Sequence, residues 1–218
     1  MELKGKKINF LGDSITEGHG VANPENIFHA RLKRSEGLLE ARNYGIGGTR
    51  IAPQHGGSLV KEWDQDFLSR VDIMDPDADI IVVFGGTNDY GHGDAPIGEI
   101  SDRTPDTFYG ALHTLINKLY AKYPHAQLVF MTPTHRFNEE SPRGDGYKQP
   151  TLPLSGYVDV IKDVCRYYAI PVLDLFACSS IQPAVECLKE QFMPDGLHPN
   201  DAGHEIIASR LAGFLKSL

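Results

Sequence analysis

Short, wholly apolar runs recur along this chain and alternate with longer amphipathic stretches. The clearest run is IIVVF at residues 80–84, where five consecutive positions carry no polar side chain. Strands that are buried on both faces have this continuous pattern, and they occur in parallel sheets that are covered by helices on each side. The alternation therefore predicts an α/β fold built around a parallel sheet.

Five strands and six helices follow from these patterns. The strands are expected at residues 8–11, 40–44, 80–84, 128–131 and 172–175, and the second of them has few apolar residues. Helical periodicity predicts helices at about residues 26–35, 58–71, 105–122, 154–168, 181–189 and 201–218. Two polar segments rich in Gly and Pro, residues 85–103 and 133–150, are predicted to be loops at the carboxyl edge of the sheet.

No linker, internal repeat or low-complexity tract interrupts this organisation, so we expect a single domain over residues 1–218. The three cysteines are an odd number without metal-ligand spacing, and we expect them to be reduced thiols in a cytoplasmic protein. The first apolar segment, residues 8–12, is shorter than the apolar core of a secretory signal.

Charge and hydropathy argue against two kinds of partner. The chain has 21 basic and 29 acidic residues and a formal charge of −8, which disfavours binding to a nucleic-acid backbone. No apolar stretch reaches the roughly 18 residues that a membrane span requires. The oligomeric state stays open, and a homo-oligomer is compatible with the sequence.

A serine follows the first predicted strand in the motif Gly12-Asp13-Ser14. At the carboxyl end of a buried strand, the serine hydroxyl can project into the crevice where open α/β sheets bind ligands. Taken alone, the motif favours a helix cap, because Ser and Asp are frequent at strand-to-helix turns. It also lacks the three-glycine spacing of a dinucleotide-binding loop.

A second motif, Asp195-Gly196-Leu197-His198, lies just before the last helix. An Asp three residues before a His can hold one ring nitrogen and leave the other for a serine, as nucleophilic serine catalysis requires. In isolation this spacing more often belongs to a surface turn. A metal pair is the weaker alternative, because no further His or Cys clusters nearby in the sequence.

Two glycine-containing motifs complete the set. Gly86-Thr87-Asn88-Asp89 follows the most apolar strand, and its Asn amide offers a donor to a developing oxyanion. The glycine-rich segment Asn43-Tyr44-Gly45-Ile46-Gly47-Gly48-Thr49 comes at the second strand, and a glycine N–H within it is a candidate second donor. Each motif is also compatible with an ordinary turn.

Together, these motifs resemble those of the SGNH hydrolases, or GDSL-type esterases and lipases. The residues that match are Ser14, Gly48, Asn88 and the pair Asp195 and His198, with Gly47 as a less favoured register for the glycine. Ile15 stands where the family name has Leu. The resemblance implies a flavodoxin-like three-layer α/β/α sandwich with a central parallel sheet of about five strands. It also implies ester hydrolysis without a metal or other cofactor.

The resemblance implies a role for each matched residue. Ser14 is expected to attack the ester carbonyl, His198 to transfer the proton and Asp195 to orient the imidazole. The oxyanion hole is expected to comprise the backbone N–H groups of Ser14 and Gly48 and the side-chain amide of Asn88.

Polar side chains on the predicted site-facing loops favour a hydrated alcohol such as a carbohydrate, and hence an esterase for short acyl groups such as acetyl. They are Arg50, His92, Asp94, Arg103, Arg136, Glu139, Glu140, Arg143 and Asp145. Trp63 is expected in the core, and His19, His92 and His135 on exposed loops. The alternatives are a lipase, lysophospholipase or thioesterase for longer chains, a silent carbohydrate- or partner-binding module, and a nucleotide- or flavin-binding protein.

Overall fold

The computed structural model describes residues 1–142 and 152–218. Its sheet has five parallel strands in the order β2-β1-β3-β4-β5. The strands are β1 (Lys7–Gly12), β2 (Glu40–Gly45), β3 (Ile80–Phe84), β4 (Gln127–Met131) and β5 (Val172–Leu173). The sparse apolar residues of β2 reflect its place at the sheet edge, where its side chains are only partly buried.

Nine α-helices lie within the described residues. They are α1 (Ser14–Glu17), α2 (Phe28–Glu36), α3 (Phe67–Arg70), α4 (Thr87–His92), α5 (Phe108–Lys122), α6 (Leu154–Tyr167), α7 (Leu175–Cys178), α8 (Glu186–Phe192) and α9 (Asp201–Ser217). Short 3-10 turns cover Pro24–Asn26, Lys61–Asp64 and Val71–Ile73.

The sheet separates two apolar cores, because successive side chains of a strand point to opposite faces. In β3, Ile81 and Val83 join the core that contains residues of α5 and α6. Ile80, Val82 and Phe84 join the core that contains residues of α2 and α9. The predicted three-layer α/β/α sandwich with five parallel strands is thus confirmed.

The predicted helix at residues 58–71 is wrong. In its place are the 3-10 turn Lys61–Asp64, the single helical turn α3 and a second 3-10 turn. Two aspartates account for the interruption: Asp64 accepts hydrogen bonds from the backbone N–H of Ser58, and Asp66 caps α3 through the N–H of Ser69. Side chains that bond to nearby backbone compete in this way with a continuous helix.

Other boundaries also differ from the sequence predictions. Residues 85–103, which the sequence predicts to be a loop, contain α4. The residue before this helix, Gly86, has a left-handed backbone conformation with φ +108°. β5 ends at Leu173, because Asp174 caps α7 by accepting from the N–H of Ala177. The segment 133–150 is described only as far as residue 142. No helix in the described ranges is both long and apolar enough to cross a membrane.

Candidate active site

The carboxyl ends of β1, β2 and β3 lie side by side. Gly12, the last residue of β1, is in register with Gly45 of β2 and with Phe84 of β3. The segments that follow these three strands therefore begin at one edge of the sheet. This alignment brings together the motifs that the sequence spreads over a long stretch of chain.

Ser14 is the first residue of α1, directly after the turn that leaves β1. The Asp13 side chain caps this helix by accepting from the N–H of Ile15 at 3.0 Å. Gly12 has no space for a side chain, because a β-carbon there would lie 2.0 Å from Oγ1 of Thr16. The tight turn leaves Ser14 in the wall of a cavity.

His198 and Asp195 reach Ser14 from the segment before α9. The Ser14 Oγ lies 3.1 Å from Nε2 of His198, and Nδ1 of His198 lies 2.7 Å from Oδ2 of Asp195. The other Asp195 oxygen accepts the backbone N–H groups of Leu197 and His198, at 2.9 and 2.7 Å. Desolvation opposes ionisation of Asp195, but these hydrogen bonds outweigh it and lower the pKa of the carboxyl below its usual value.

Three residues that carry candidate N–H donors line the same cavity. Ser14, Gly48 and Asn88 all line it. In the part of the chain that the structure describes, no acceptor is found for the backbone N–H of Ser14 or of Gly48. The Asn88 amide donates to the carbonyl of Thr49 at 3.0 Å, and an amide nitrogen carries a second N–H for another acceptor.

Arg70 connects β1, β2 and the loop that follows β2 through hydrogen bonds. Its buried guanidinium donates to the carbonyl of Gly12 at 3.0 Å, to the carbonyl of Tyr44 and to Oγ1 of Thr49 at 2.8 Å. Burial is the main reason that its pKa falls to about 10. Sequence reasoning missed this residue, because an arginine within a predicted helix carries no local signal of such a role.

Two buried carboxyl groups also support the site. Burial raises the pKa of Asp13 to about 7 and the pKa of Asp89 to about 6. Asp89 accepts the backbone N–H groups of Ile51 and Ala52 at 3.0 and 2.9 Å, and so holds the segment that follows Gly48. Its position after Asn88 is visible in the sequence, but its partners are not.

The cavity beside Ser14 has a volume of about 480 Å³. Its lining combines polar and apolar side chains with the two glycines that follow β2. The lining residues are Ser14, Glu17, His19, Ile46, Gly47, Gly48, Val60, Glu62, Trp63, Asn88, His92, Leu197 and His198. His19 is exposed, as predicted, and lines the cavity. The prediction of an exposed loop is wrong for His92, which is the partly buried last residue of α4, and for His135, which is partly buried, bonds Glu139 and packs on Phe176.

Two predictions about the cavity wall need correction. Trp63 is not a core residue, because it is only half-buried and covers Gly48 in the cavity. Of those residues of the predicted polar wall that the structure describes, only His92 lines the cavity. The buried guanidiniums of Arg50 and Arg136 bond protein groups, and Arg103 packs against Tyr167.

The remaining members of that predicted wall lie elsewhere or are not described. Asp94 accepts the backbone N–H groups of His55 and Gly56. Glu139 bonds His135, and Glu140 is not among the cavity-lining residues. Arg143 and Asp145 lie outside the described residues. Among the residues that are described, no group of three or more His, Cys, Asp or Glu side chains is placed to hold a metal ion.

The sequence model of the GDSL-like Lipase/Acylhydrolase family matches residues 10–206 of this chain. A GDSL lipase of Mycobacterium tuberculosis is 26% identical over an alignment of 224 positions, which covers 99% of this chain and 84% of that protein. The match extends over all the motifs described above.

Solved structures share the same architecture. A protein from Lactobacillus plantarum superposes with a TM-score of 0.83 at 32% identity, over 98% of each chain. A two-domain esterase active on acetylated mannans, co-crystallised with mannopentaose, superposes with a TM-score of 0.66 at 20% identity. That match covers 99% of this chain and 50% of the esterase, and it shows a shared fold alone.

Proposed function

Because the chain belongs to the GDSL-like lipase/acylhydrolase family, we propose that it hydrolyses carboxylic esters through an acyl-enzyme formed on Ser14. The observation that carries this proposal is the chain of contacts from Ser14 Oγ to His198 Nε2, at 3.1 Å, and from His198 Nδ1 to Asp195, at 2.7 Å. A nucleophile, a base and a group that orients the base are the parts that serine catalysis requires.

In the first half of the reaction, Ser14 Oγ attacks the carbonyl carbon while its proton passes to Nε2 of His198. The carbonyl π electrons move to the oxygen, which becomes an oxyanion. When the tetrahedral species collapses, the C–O bond to the alcohol breaks and the departing oxygen takes the proton from His198. Asp195 stays ionised throughout and stabilises the imidazolium.

In the second half, a water molecule attacks the acyl-serine and gives one proton to His198. Collapse breaks the bond to Ser14 Oγ, which recovers that proton as the carboxylic acid leaves. The backbone N–H groups of Ser14 and Gly48 and the amide of Asn88 are the proposed donors to the oxyanion. Each such donor typically stabilises the transition state by about 3 kcal/mol.

We propose short acyl groups, such as acetyl, on a small-molecule or carbohydrate alcohol. Support comes from the Trp63 indole, which fills the space against Gly48 and limits the room beside the oxyanion. Glu62 and His92 give the cavity hydrogen-bonding groups suited to a polar alcohol. The structural neighbour that acts on acetylated mannans supports the choice of an acetylated carbohydrate to test.

The test is a panel of acyl esters with the wild type and Ser14→Ala. We expect the wild type to turn over p-nitrophenyl acetate and to react with a fluorophosphonate, and the variant to lose both properties by several orders of magnitude. Retained activity in Ser14→Ala contradicts the mechanism. A wild type that neither turns over any ester nor reacts with the fluorophosphonate indicates a silent binding module.

A longer acyl chain is the second candidate. The observation in its favour is the apolar part of the cavity wall, formed by Ile46, Val60 and Leu197. Leu59, next to Val60 in the sequence but outside the lining, is 96% exposed. A lipase, lysophospholipase or thioesterase would use such a surface for the chain. Faster turnover of p-nitrophenyl decanoate than of the acetate would favour this candidate over a short-acyl esterase.

A further inference from the structure

Glu17 and His19 face the candidate site from the same segment that carries Ser14. α1 begins at Ser14 and ends at Glu17, so one helical turn separates the serine from the glutamate. The backbone N–H of His19 donates to the carbonyl of Ser14 at 2.9 Å, which holds the histidine close to the same turn. Both side chains line the cavity together with Ser14 and His198.

Glu17 is bonded to the segment that presents Gly48. Its Oε2 accepts the backbone N–H of Gly47 at 2.6 Å. The two groups are closely packed, because a β-carbon on Gly47 would lie 3.0 Å from the same oxygen, which is shorter than an ordinary van der Waals contact. The carboxylate thus fixes the peptide unit immediately before the one that carries the Gly48 N–H.

His19 is placed between this carboxylate and the base. Its Nε2 lies 3.1 Å from Oε2 of Glu17, and its ring centre lies 5.4 Å from that of His198, with the rings tilted by 44°. Gly20 brings the two segments together, because a β-carbon there would lie 2.6 Å from the carbonyl of Pro199. Contacts therefore run from Gly47 through Glu17 and His19 to His198.

We propose that Glu17 and His19 are a positioning pair for the oxyanion hole. The Glu17 carboxylate holds the Gly47 peptide so that the next N–H, on Gly48, points to the carbonyl oxygen of the bound ester. His19 holds the carboxylate in this orientation by donating to it. This inference rests on the proposed function, and neither residue takes part in bond making or breaking.

We expect the pair to affect stabilisation of the transition state, and hence kcat, rather than substrate binding. The Gly48 N–H gains most when charge develops on the oxygen, so a small misalignment raises the barrier more than it weakens the ground-state complex. Glu17 is also half-exposed, with 45% of its side chain accessible, and it is not part of either apolar core. Its removal is therefore expected to affect kcat rather than folding.

The test compares Glu17→Ala with Glu17→Gln, using p-nitrophenyl acetate and phenylboronic acid as a transition-state analogue. Glu17→Ala removes the acceptor for the Gly47 N–H, and we expect kcat to fall about tenfold or more at an unchanged KM. Its affinity for the boronic acid should fall in parallel. Glu17→Gln keeps an oxygen acceptor, and we expect it to recover most of kcat.

Glu40→Ala is the matched control, because Glu40 has a similar exposure of 43% and lies at the start of β2, away from the cavity. The positioning role is overturned if Glu17→Ala keeps kcat within twofold, if only its KM changes, or if Glu17→Gln is as impaired as Glu17→Ala. A fall in Tm that accompanies the loss of kcat also overturns it, since the effect is then structural.

The proposed function fails in a different way. A wild type without esterase activity, or an active Ser14→Ala, contradicts the function itself whatever the Glu17 variants do. With an active wild type and an inactive Ser14→Ala, the Glu17 variants test the positioning pair alone.

Discussion

The indole of Trp63 lies directly over the α-carbon of Gly48. A β-carbon on that glycine would lie 2.3 Å from two atoms of the ring, and the glycine itself has φ +72°, in the left-handed region. Sterics and backbone conformation therefore both exclude a larger residue at this position. The ring in turn is held at 4.8 Å from that of His92, and Arg50 bonds the backbone carbonyl of Trp63.

Gly48→Ala is expected to lower kcat/KM about a hundredfold or more, because the added methyl group displaces either the glycine N–H or the indole. Ester hydrolysis by the purified variant is the measurement. Gly37→Ala is the matched control: Gly37 has φ +66°, but a β-carbon there meets only Cγ of Lys4 at 3.5 Å. It should lose stability by about 1 kcal/mol and keep its activity. Equal activity losses in the two variants would contradict a specific role for Gly48.

Trp63→Ala is expected to shift acyl-chain preference towards longer esters, because it removes the side chain that fills the space beside Gly48. The ratio of kcat/KM for p-nitrophenyl hexanoate to that for the acetate should rise about tenfold, which is within the range that hydrophobic pocket contacts supply. Trp63→Phe keeps an aromatic ring and should change the ratio less. An unchanged ratio in Trp63→Ala would mean that the acyl group binds elsewhere in the cavity.

Asp195→Asn is expected to lower kcat by about a thousandfold or more, because an amide can present its N–H group to His198 and favour the wrong tautomer. Folding should change little, since the Asp195 side chain is 55% exposed. Steady-state kinetics and a thermal unfolding curve give the two readouts. If activity were retained, the base would need another orienting group, and the proposed triad would be incorrect.

Asp13→Asn is expected to gain stability relative to the wild type as the pH rises. Burial raises the pKa of Asp13 to about 7 in the folded state, from an ordinary value of 3.8. The folded state therefore binds this proton more tightly, and stability falls as the pH rises between these values. Asn keeps the capping oxygen but does not titrate, so the difference should change by roughly 1.4 kcal/mol per pH unit.

The comparison with the variant is necessary because other buried groups have the opposite effect. Burial lowers the pKa of His29 to about 4 and that of His204 to about 3, from 6.5. These histidines stay neutral in the folded state, so their contribution to stability is lost as the pH falls below 6.5. Urea unfolding of both proteins at pH 4.5 and pH 7 isolates Asp13, and a difference independent of pH would contradict its raised pKa.

The sheet could be predicted from sequence because its signal is local. The run at residues 80–84 is fully buried in β3 as expected, since a central strand has no polar face. The helix predicted across residues 58–71 failed for the opposite reason. Asp64 and Asp66 accept hydrogen bonds from the backbone within that stretch, and Asp64 also accepts from Arg50. Apolar periodicity does not report such competition.

Some residues of the candidate site could likewise be predicted from the sequence, and others could not. The motifs that contain Ser14 and Asn88 could be assigned to one edge of the sheet, because each follows a strand with a clear apolar pattern. His198 is linked to them in the sequence only through the family resemblance. Arg70, Glu17 and Trp63 could not be assigned, since their roles depend on contacts across the chain: Arg70 with Thr49, Glu17 with Gly47 and Trp63 with Gly48. Hydrophobic periodicity reports which face of a single helix or strand is buried. It contains no information about contacts between residues in different loops.

Ser14 and His198 are separated by 184 residues in the sequence, so the proposed activity requires that nearly the whole chain has folded. During synthesis on a ribosome the serine emerges early, and it has no base until the segment before α9 has been made and docked. Under the proposed function, a nascent chain therefore lacks the base for acylation of Ser14 until that segment has docked. For the same reason, recovery of esterase activity after dilution from denaturant would time the docking of the segment before α9 against Ser14.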